Sequence, residues 1–297
     1  MNRLRVTHTT TYRYTERVSF GPHRLVLRPR EGHDLQVENL NLMIQPSARV
    51  SWHRDIFGNS IALAHFLDTG DELVIQNAVT IVQGDKSASH GLLEAFPVAF
   101  PVDYGDFEQS VAAGYLEPVY ADERTKLKDW LTDTFPQNAK PDAAVMVNEL
   151  GSWIYRNIQY RRREDKGVQT PWQTLELKSG SCRDMATLLL ETVRTLGLAS
   201  RFASGYLNSS ASLAGRAATH AWTEIYFPEL GWFGFDPTLG EGTSHKHIVT
   251  GVSAHPRGVM PISGSYNGER ELYVGMEVTV KIEPLELLGS QIHTANP

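Results

Sequence analysis

The 297 residues include a single cysteine, Cys182. It follows Gly180-Ser181 and opens an apolar stripe made by Met185, Leu188, Leu189, Val193 and Leu196. The stripe has helical period. Gly197 ends it as a C-terminal cap, and Ser181 with Asp184 three residues on makes a start of capping-box type. The thiol therefore belongs to the first turn of a helix. Unpaired N–H groups give that end partial positive charge, which favours an anion, and the thiolate is the nucleophilic form of cysteine. The same N–H groups can hold the oxyanion formed when a thiolate attacks a carbonyl. Gly180 is expected to leave room for a substrate.

A thiolate nucleophile works with an imidazole beside it and a third group that orients the imidazole. His220 opens the strand-like run HAWTEIYF (220–227), and Asp236 closes WFGFD (232–236) ahead of Pro237. Strand alternation puts His220, Trp222, Glu224 and Tyr226 on one face. An even loop between the two runs would place Asp236 on the opposite face. A three-residue loop, 228–230, pairs Phe227 with Gly231 and sets Asp236 opposite Trp222, next to His220. A five-residue loop, 226–230, sets it opposite His220 itself. An odd loop or an equivalent bulge is therefore expected, and Gly231 suits the left-handed position that ends a three-residue hairpin.

These residues need a frame. Residues 1–83 read as short strands (Val6–Tyr14, Leu25–Leu27, Leu40–Ile44, Ser60–Phe66, Glu72–Val82) separated by Gly, Pro, Asn and Asp, which is the pattern of an antiparallel β-domain. Gly84, Pro97, Pro101 and Gly105 punctuate a linker at about 84–106. A helical pattern then runs from Asp106 to about Arg163, the Cys182 helix follows, and strands return at Arg201–Leu207, 220–227, 232–236 and Glu271–Ile282. The class is α+β, with an N-terminal β-domain at 1–85 and a second part at 86–297. The sheet that takes the strand near 271–282 is left open. Lys plus Arg is 28 against 34 Asp plus Glu, a formal charge of −6, which argues against a nucleic-acid partner. A lone thiol forms no internal disulfide, so a reducing, cytoplasmic setting is expected. No apolar run reaches signal-peptide or bilayer length, so no membrane partner is expected.

Taken together, GSCRDMATLLLETVRTLGLASRFASGYL (180–207), THAWTEIYF (219–227) and GWFGFDPT (231–238) resemble the transglutaminase-like superfamily of papain-related Cys-His-Asp enzymes. TPWQTLELKSGSCRDMA (170–186) and HPRGVMPISG (255–264) look like a bacterial subgroup described as cysteine proteases. YRYTERVSFGPHRLVLRPR (12–30) and WHRDIFGNSIALAHF (52–66) resemble the β-domain that precedes the core in that subgroup. The resemblance implies a papain-like core, with Cys182 as nucleophile, His220 as general base and acid and Asp236 as orienter. It implies acyl transfer from amide bonds of a peptide or protein through a thioester. Water as acceptor makes a peptidase or amidase, and an amine makes a transglutaminase. The Cys182 N–H is one candidate for an oxyanion donor, and Trp172 or Gln173 is the other. Glu224 could bind a substrate amine or be structural, Trp222 and Tyr226 wall the cleft or pack, and Tyr206 reaches the site or packs in the core. No cofactor is implied, and no metal, since no acidic cluster has calcium-loop spacing. Asp184 is explained by helix capping, Arg161–Arg163 by a charged face at a helix end, and His245 and His247 by a solvated loop. The oligomeric state is open. The rival from another class is a catalytically silent interaction module on the same fold.

Overall fold

The computed structural model describes residues 2–84, 93, 95–135, 142–163, 167–215 and 217–286. Part of the expected linker, residues 85–92 and 94, lies outside this set. The N-terminal part is β1 (Asn2–Phe20), β2 (His23–Leu25), β3 (Leu35–Gln45), β4 (Ala48–Arg54), β5 (Ser60–Phe66) and β6 (Gly70–Gln83). Helices α1 (Gly105–Leu116), α2 (Arg124–Thr134) and α3 (Ala143–Asn157) follow. Then come β7 (Gln159–Tyr160), α4 (Pro171–Leu177), β8 (Ser179–Gly180), α5 (Cys182–Thr195), β9 (Ser200–Leu207), the short α6 (Ser210–Leu213), β10 (His220–Phe227), β11 (Gly231–Asp236), β12 (Glu241–Gly242) and β13 (His247–Ser253). The chain closes with β14 (Ile262–Ser263), β15 (Tyr266–Asn267) and β16 (Tyr273–Leu285). This is an α+β fold built on antiparallel sheets.

The central sheet has the order β12-β11-β10-β9-β13. Alternation sends Ile225 and Phe227 of β10, with Phe233 and Phe235 of β11, into one apolar cluster with Met185, Leu188, Leu189 and Val193 of α5 and Val147, Leu150 and Ile154 of α3. That burial seats the Cys182 helix against the sheet. A buried hydroxyl adds to it: Thr223 Oγ1 donates to the Ala186 carbonyl at 2.7 Å. The opposite face of the sheet is covered by the N-terminal strands. Tyr206 and Ile248 pack there with Leu4, Val6, Val79 and Ile81, and Trp222 packs with Ala203, Val252 and the Phe57 turn.

The last strands return to the N-terminal sheets. β16 runs antiparallel to β1 from Arg3↔Leu285 to Tyr14↔Tyr273, β15 extends the same edge, and β14 pairs with β2. The question left open by the sequence is thus answered: the strand near 271–282 joins the sheet of β1, so both ends of the chain build the N-terminal unit.

Candidate active site

The hairpin of β10 and β11 has a three-residue loop. Phe227 pairs with Gly231, Tyr226 with Trp232 and Thr223 with Phe235, so the next rung sets Asp236 level with Trp222, as the alternation argument required. Gly231 has φ +95°, and Glu229 within the loop has φ +63°. His220 and Asp236 therefore share a face, and His220 Nε2 lies 2.6 Å from Asp236 Oδ2.

The Cys182 thiol lies near enough to the His220 ring to act on its charge. With Nε2 on the carboxylate, Nδ1 is the ring nitrogen left for sulfur. Burial works against charge on this ring, but the hydrogen bond to Asp236, the nearby Cys182 and the charges of both override it and push His220 up to about 10. An imidazolium so held is the counter-ion a cysteine thiolate needs. Cys182 is 7% exposed and the His220 side chain 12%, so the pair lies just beneath the surface and opens to it.

Asp236 is fully engaged. Oδ1 accepts from the Thr238 N–H at 2.9 Å and the Thr238 hydroxyl at 2.7 Å. Oδ2 accepts from His220 and, at 3.0 Å, from His247 Nε2. Burial alone would raise this carboxyl, and the bonds from His220, His247 and Thr238 hold it well below the usual carboxylate range. His247 was expected in a solvated loop. It opens β13 instead and is 1% exposed. The chain turns inward there because Ile248, next in the strand, is needed in the core beneath β1.

Asp184 shapes the start of α5. Burial opposes its charge, but it accepts from the backbone N–H groups of Gln169 and Ser181, the Arg163 guanidinium and the Ser181 hydroxyl, and these lower it. The capping motif thus also ties Arg163 and Gln169 to the Cys182 turn. Gly180 is required by this packing: a Cβ there would meet Asp184 Cβ at 2.8 Å and Gln169 Oε1 at 3.1 Å.

The secondary candidates are engaged in other contacts. Gln173 is exposed and closes a capping box on Thr170. The Trp172 N–H and indole are bound to Glu123 and Glu176. The amide that does lie against Gly180 is Gln169, which the sequence analysis passed over because the number of residues between it and Cys182 says nothing of the fold of the α4 turn. Trp222 is fully buried, its ring 6.2 Å from that of His220 and 5.2 Å from that of His247, so it packs behind the site and is no cleft wall. Glu224 is held by Arg201 at 2.7 Å, whose guanidinium lies 3.9 Å over Trp232; its carboxylate is structural. Tyr206 is turned to the N-terminal sheet, its hydroxyl 3.2 Å from His8 Nδ1 and 3.3 Å from the Leu27 carbonyl. Beside the site a cleft of about 340 Å³ is lined by Tyr155, Arg156, Tyr160, Lys178, Met185 and Thr238 among others. Tyr160 stands close enough to Cys182 that, after burial, the thiol's charge helps to raise its phenol. Among the described residues no helix is long and apolar enough to cross a membrane.

His220, Asp236 and His247 also present ligand atoms within 4.8 Å of one another. The bonding opposes a metal there. The backbone N–H of Ser244 donates to His247 Nδ1 at 3.1 Å, so the ring proton is on Nε2, the nitrogen that faces Asp236. A metal would need that nitrogen bare.

Comparison with known proteins gives a consistent picture. Residues 4–82 match the bacterial transglutaminase-like N-terminal region, and residues 130–237 match the transglutaminase-like superfamily. An uncharacterized protein of Mycobacterium tuberculosis (strain H37Rv) is 28% identical over 309 residues, covering 98% of this chain and 95% of its own length. Another, from Mycobacterium leprae, is 23% identical over 285 residues, covering 94% and 99%. Among solved structures, a protein of Cytophaga hutchinsonii provisionally assigned as a cysteine protease is similar in fold, with a TM-score of 0.73 over 96% of this chain and 91% of its own at 17% identity.

Proposed function

We propose, for a chain that carries a transglutaminase-like core behind a bacterial transglutaminase-like N-terminal region, that Cys182, His220 and Asp236 form a thiol acyl-transfer centre acting on amide bonds of peptides or proteins. The observation that carries this is the His220 ring hydrogen-bonded to the Asp236 carboxylate at 2.6 Å, with the Cys182 thiol near enough to raise the ring's affinity for a proton. The Cys182 thiolate attacks the amide carbonyl carbon, and the carbonyl oxygen takes the negative charge at the N-terminus of α5. The His220 imidazolium gives its proton to the leaving nitrogen, the C–N bond breaks, and a thioester remains on Cys182. Water or an amine then attacks the thioester as His220 takes its proton, and the thiolate leaves. Asp236 stays ionised and holds the ring in line. The cleft beside Thr238 and Tyr160 is where a substrate chain would approach. A lone thiol serves this role in a reducing compartment, which favours a cytoplasmic setting.

Two measurements test this. Iodoacetamide near neutral pH should alkylate Cys182 faster than an unactivated thiol, and His220→Ala should slow it by about tenfold or more, because the imidazolium that favours the thiolate is gone. Equal rates in both proteins would leave a buried structural thiol and the silent module. Incubation with a glutamine peptide and a fluorescent amine then separates the acceptors: ammonia release without amine incorporation identifies a hydrolase, and incorporation identifies a transferase.

A further inference from the structure

We propose that His247 is a positioning residue of this site, the fixed donor that holds the Asp236 carboxylate in line with His220. The inference rests on the acyl-transfer reading above and extends it to a residue outside the Cys-His-Asp set.

Three observations carry it. His247 Nε2 is 3.0 Å from Asp236 Oδ2, the same oxygen that His220 engages at 2.6 Å. Its other nitrogen accepts from the Ser244 N–H, which fixes the proton on Nε2 and makes the ring a donor to the carboxylate and nothing else. The residue is 1% exposed, and its ring stands at 76° to the Trp222 indole, 5.2 Å between centroids, so its orientation is set by packing. β13 and β11 are not neighbours in the sheet. They meet at this point because Gly205 of β9 lies between them, and a Cβ there would stand 2.0 Å from the Ile248 carbonyl oxygen and 3.0 Å from the Trp222 ring.

The chemistry gives such a donor a task. Thr238 saturates Oδ1, so without His247 the only hold on Oδ2 would be His220. That ring must pass a proton between sulfur and the leaving nitrogen, and an orienter whose position depends on the group it orients is a poor reference. His247 takes no part in proton transfer and supplies an independent anchor. It also gives the buried negative charge another N–H, without which ionised Asp236 is costlier and a weaker partner for an imidazolium.

The experiment follows iodoacetamide alkylation of Cys182 in the full chain. His247→Leu keeps the bulk and removes the donor, and should slow alkylation about tenfold, the scale of one hydrogen bond to a buried charge. His247→Gln places an amide N–H near the position of Nε2 and should recover most of the rate. In an Asp236→Asn background His247→Leu should add nothing, because the two act through one contact. Equal losses in the Leu and Gln variants, or an undiminished loss in the Asp236→Asn background, would overturn the proposal in favour of packing alone. Should His247→Leu not fold, the ¹⁵N spectrum of histidine in the unmutated chain decides. His247 must show Nε2 protonated and Nδ1 bare, with the Nε2–H signal moving on Asp236→Asn; the opposite tautomer sinks the idea. If His220→Ala leaves alkylation unchanged, the acyl-transfer reading falls, and the nitrogen spectrum still judges whether His247 grips Asp236.

Discussion

Asp236 accepts from four donors on three residues, His220, His247 and Thr238, which lets a carboxylate with almost no solvent contact stay charged. Its charge in turn holds a proton on His220. The linkage has a definite sign. Between about 6.5 and about 10 the folded chain keeps a proton on His220 that the unfolded chain has released. The resulting stabilisation is complete below about 6.5 and fades as pH rises toward about 10. The depressed Asp236 acts oppositely: its contribution is present above the usual carboxylate range, about 3.9, and is lost in acid. Urea unfolding of the chain and of His220→Gln across this range should therefore show an advantage of the natural residue that is largest near pH 5–6 and shrinks on the alkaline side. A constant difference would mean that the imidazolium is not the stabilised form.

At the scale of elements, the site depends on how closely strands approach. His220 on β10 faces Gly205 on β9, which faces Val249 on β13. A methyl group at 205 would overlap the Ile248 carbonyl and press on Trp222, neither of which is a flexible chain end. Gly205→Ala is expected to cost about 1–3 kcal/mol, the usual range for an overpacked core, read as a lower midpoint in denaturant. It should also slow Cys182 alkylation, since the strand carrying His247 must move away. Retention of both properties would show that β13 yields without consequence.

The whole molecule is a helical layer, a central sheet and the N-terminal strands over its far face, and the site around His220 and Asp236 is braced by the last of these. Asn59, fully buried in the turn after β4, accepts from the Val252 N–H at 2.9 Å and donates to the Val252 carbonyl at 2.8 Å. A side chain thus pairs with β13 as a strand would. Arg30, through its N–H to the Val249 carbonyl, adds a second tie between the units. Asn59→Leu strands two buried backbone groups, and a loss of about 2–4 kcal/mol is expected from unpaired polar groups of this kind, measured by thermal or denaturant unfolding. An unchanged midpoint would mean that the N-terminal strands sit on the core without bracing it. A role for this region in covering the Trp222 face explains why β1 and β16 clamp it from both ends of the chain.

The sequence by itself determined what local periodicity governs. The apolar stripe after Cys182 marked α5 because burial at helical spacing leaves that trace. The alternation in 220–227, with a loop that had to be odd, put His220 beside Asp236 because a strand has a period of two and a slip of one residue exchanges its faces. Tertiary structure decided everything whose partner is remote in the chain. His247 looked like part of a polar loop, since nothing in HKHIV reveals that β13 crosses to the far side of β9 and returns its first side chain to the end of β11. Tyr206 and Glu224 carry groups suited to a site, and only the packing of the N-terminal sheet and the Arg201–Trp232 stack turned them to structural use. Gln169 lies near the Cys182 turn because Asp184 gathers that segment. Side-chain chemistry and short-range spacing are properties of the string, whereas which groups face one another across a sheet depends on the sum of all burial, and no single stretch records that sum.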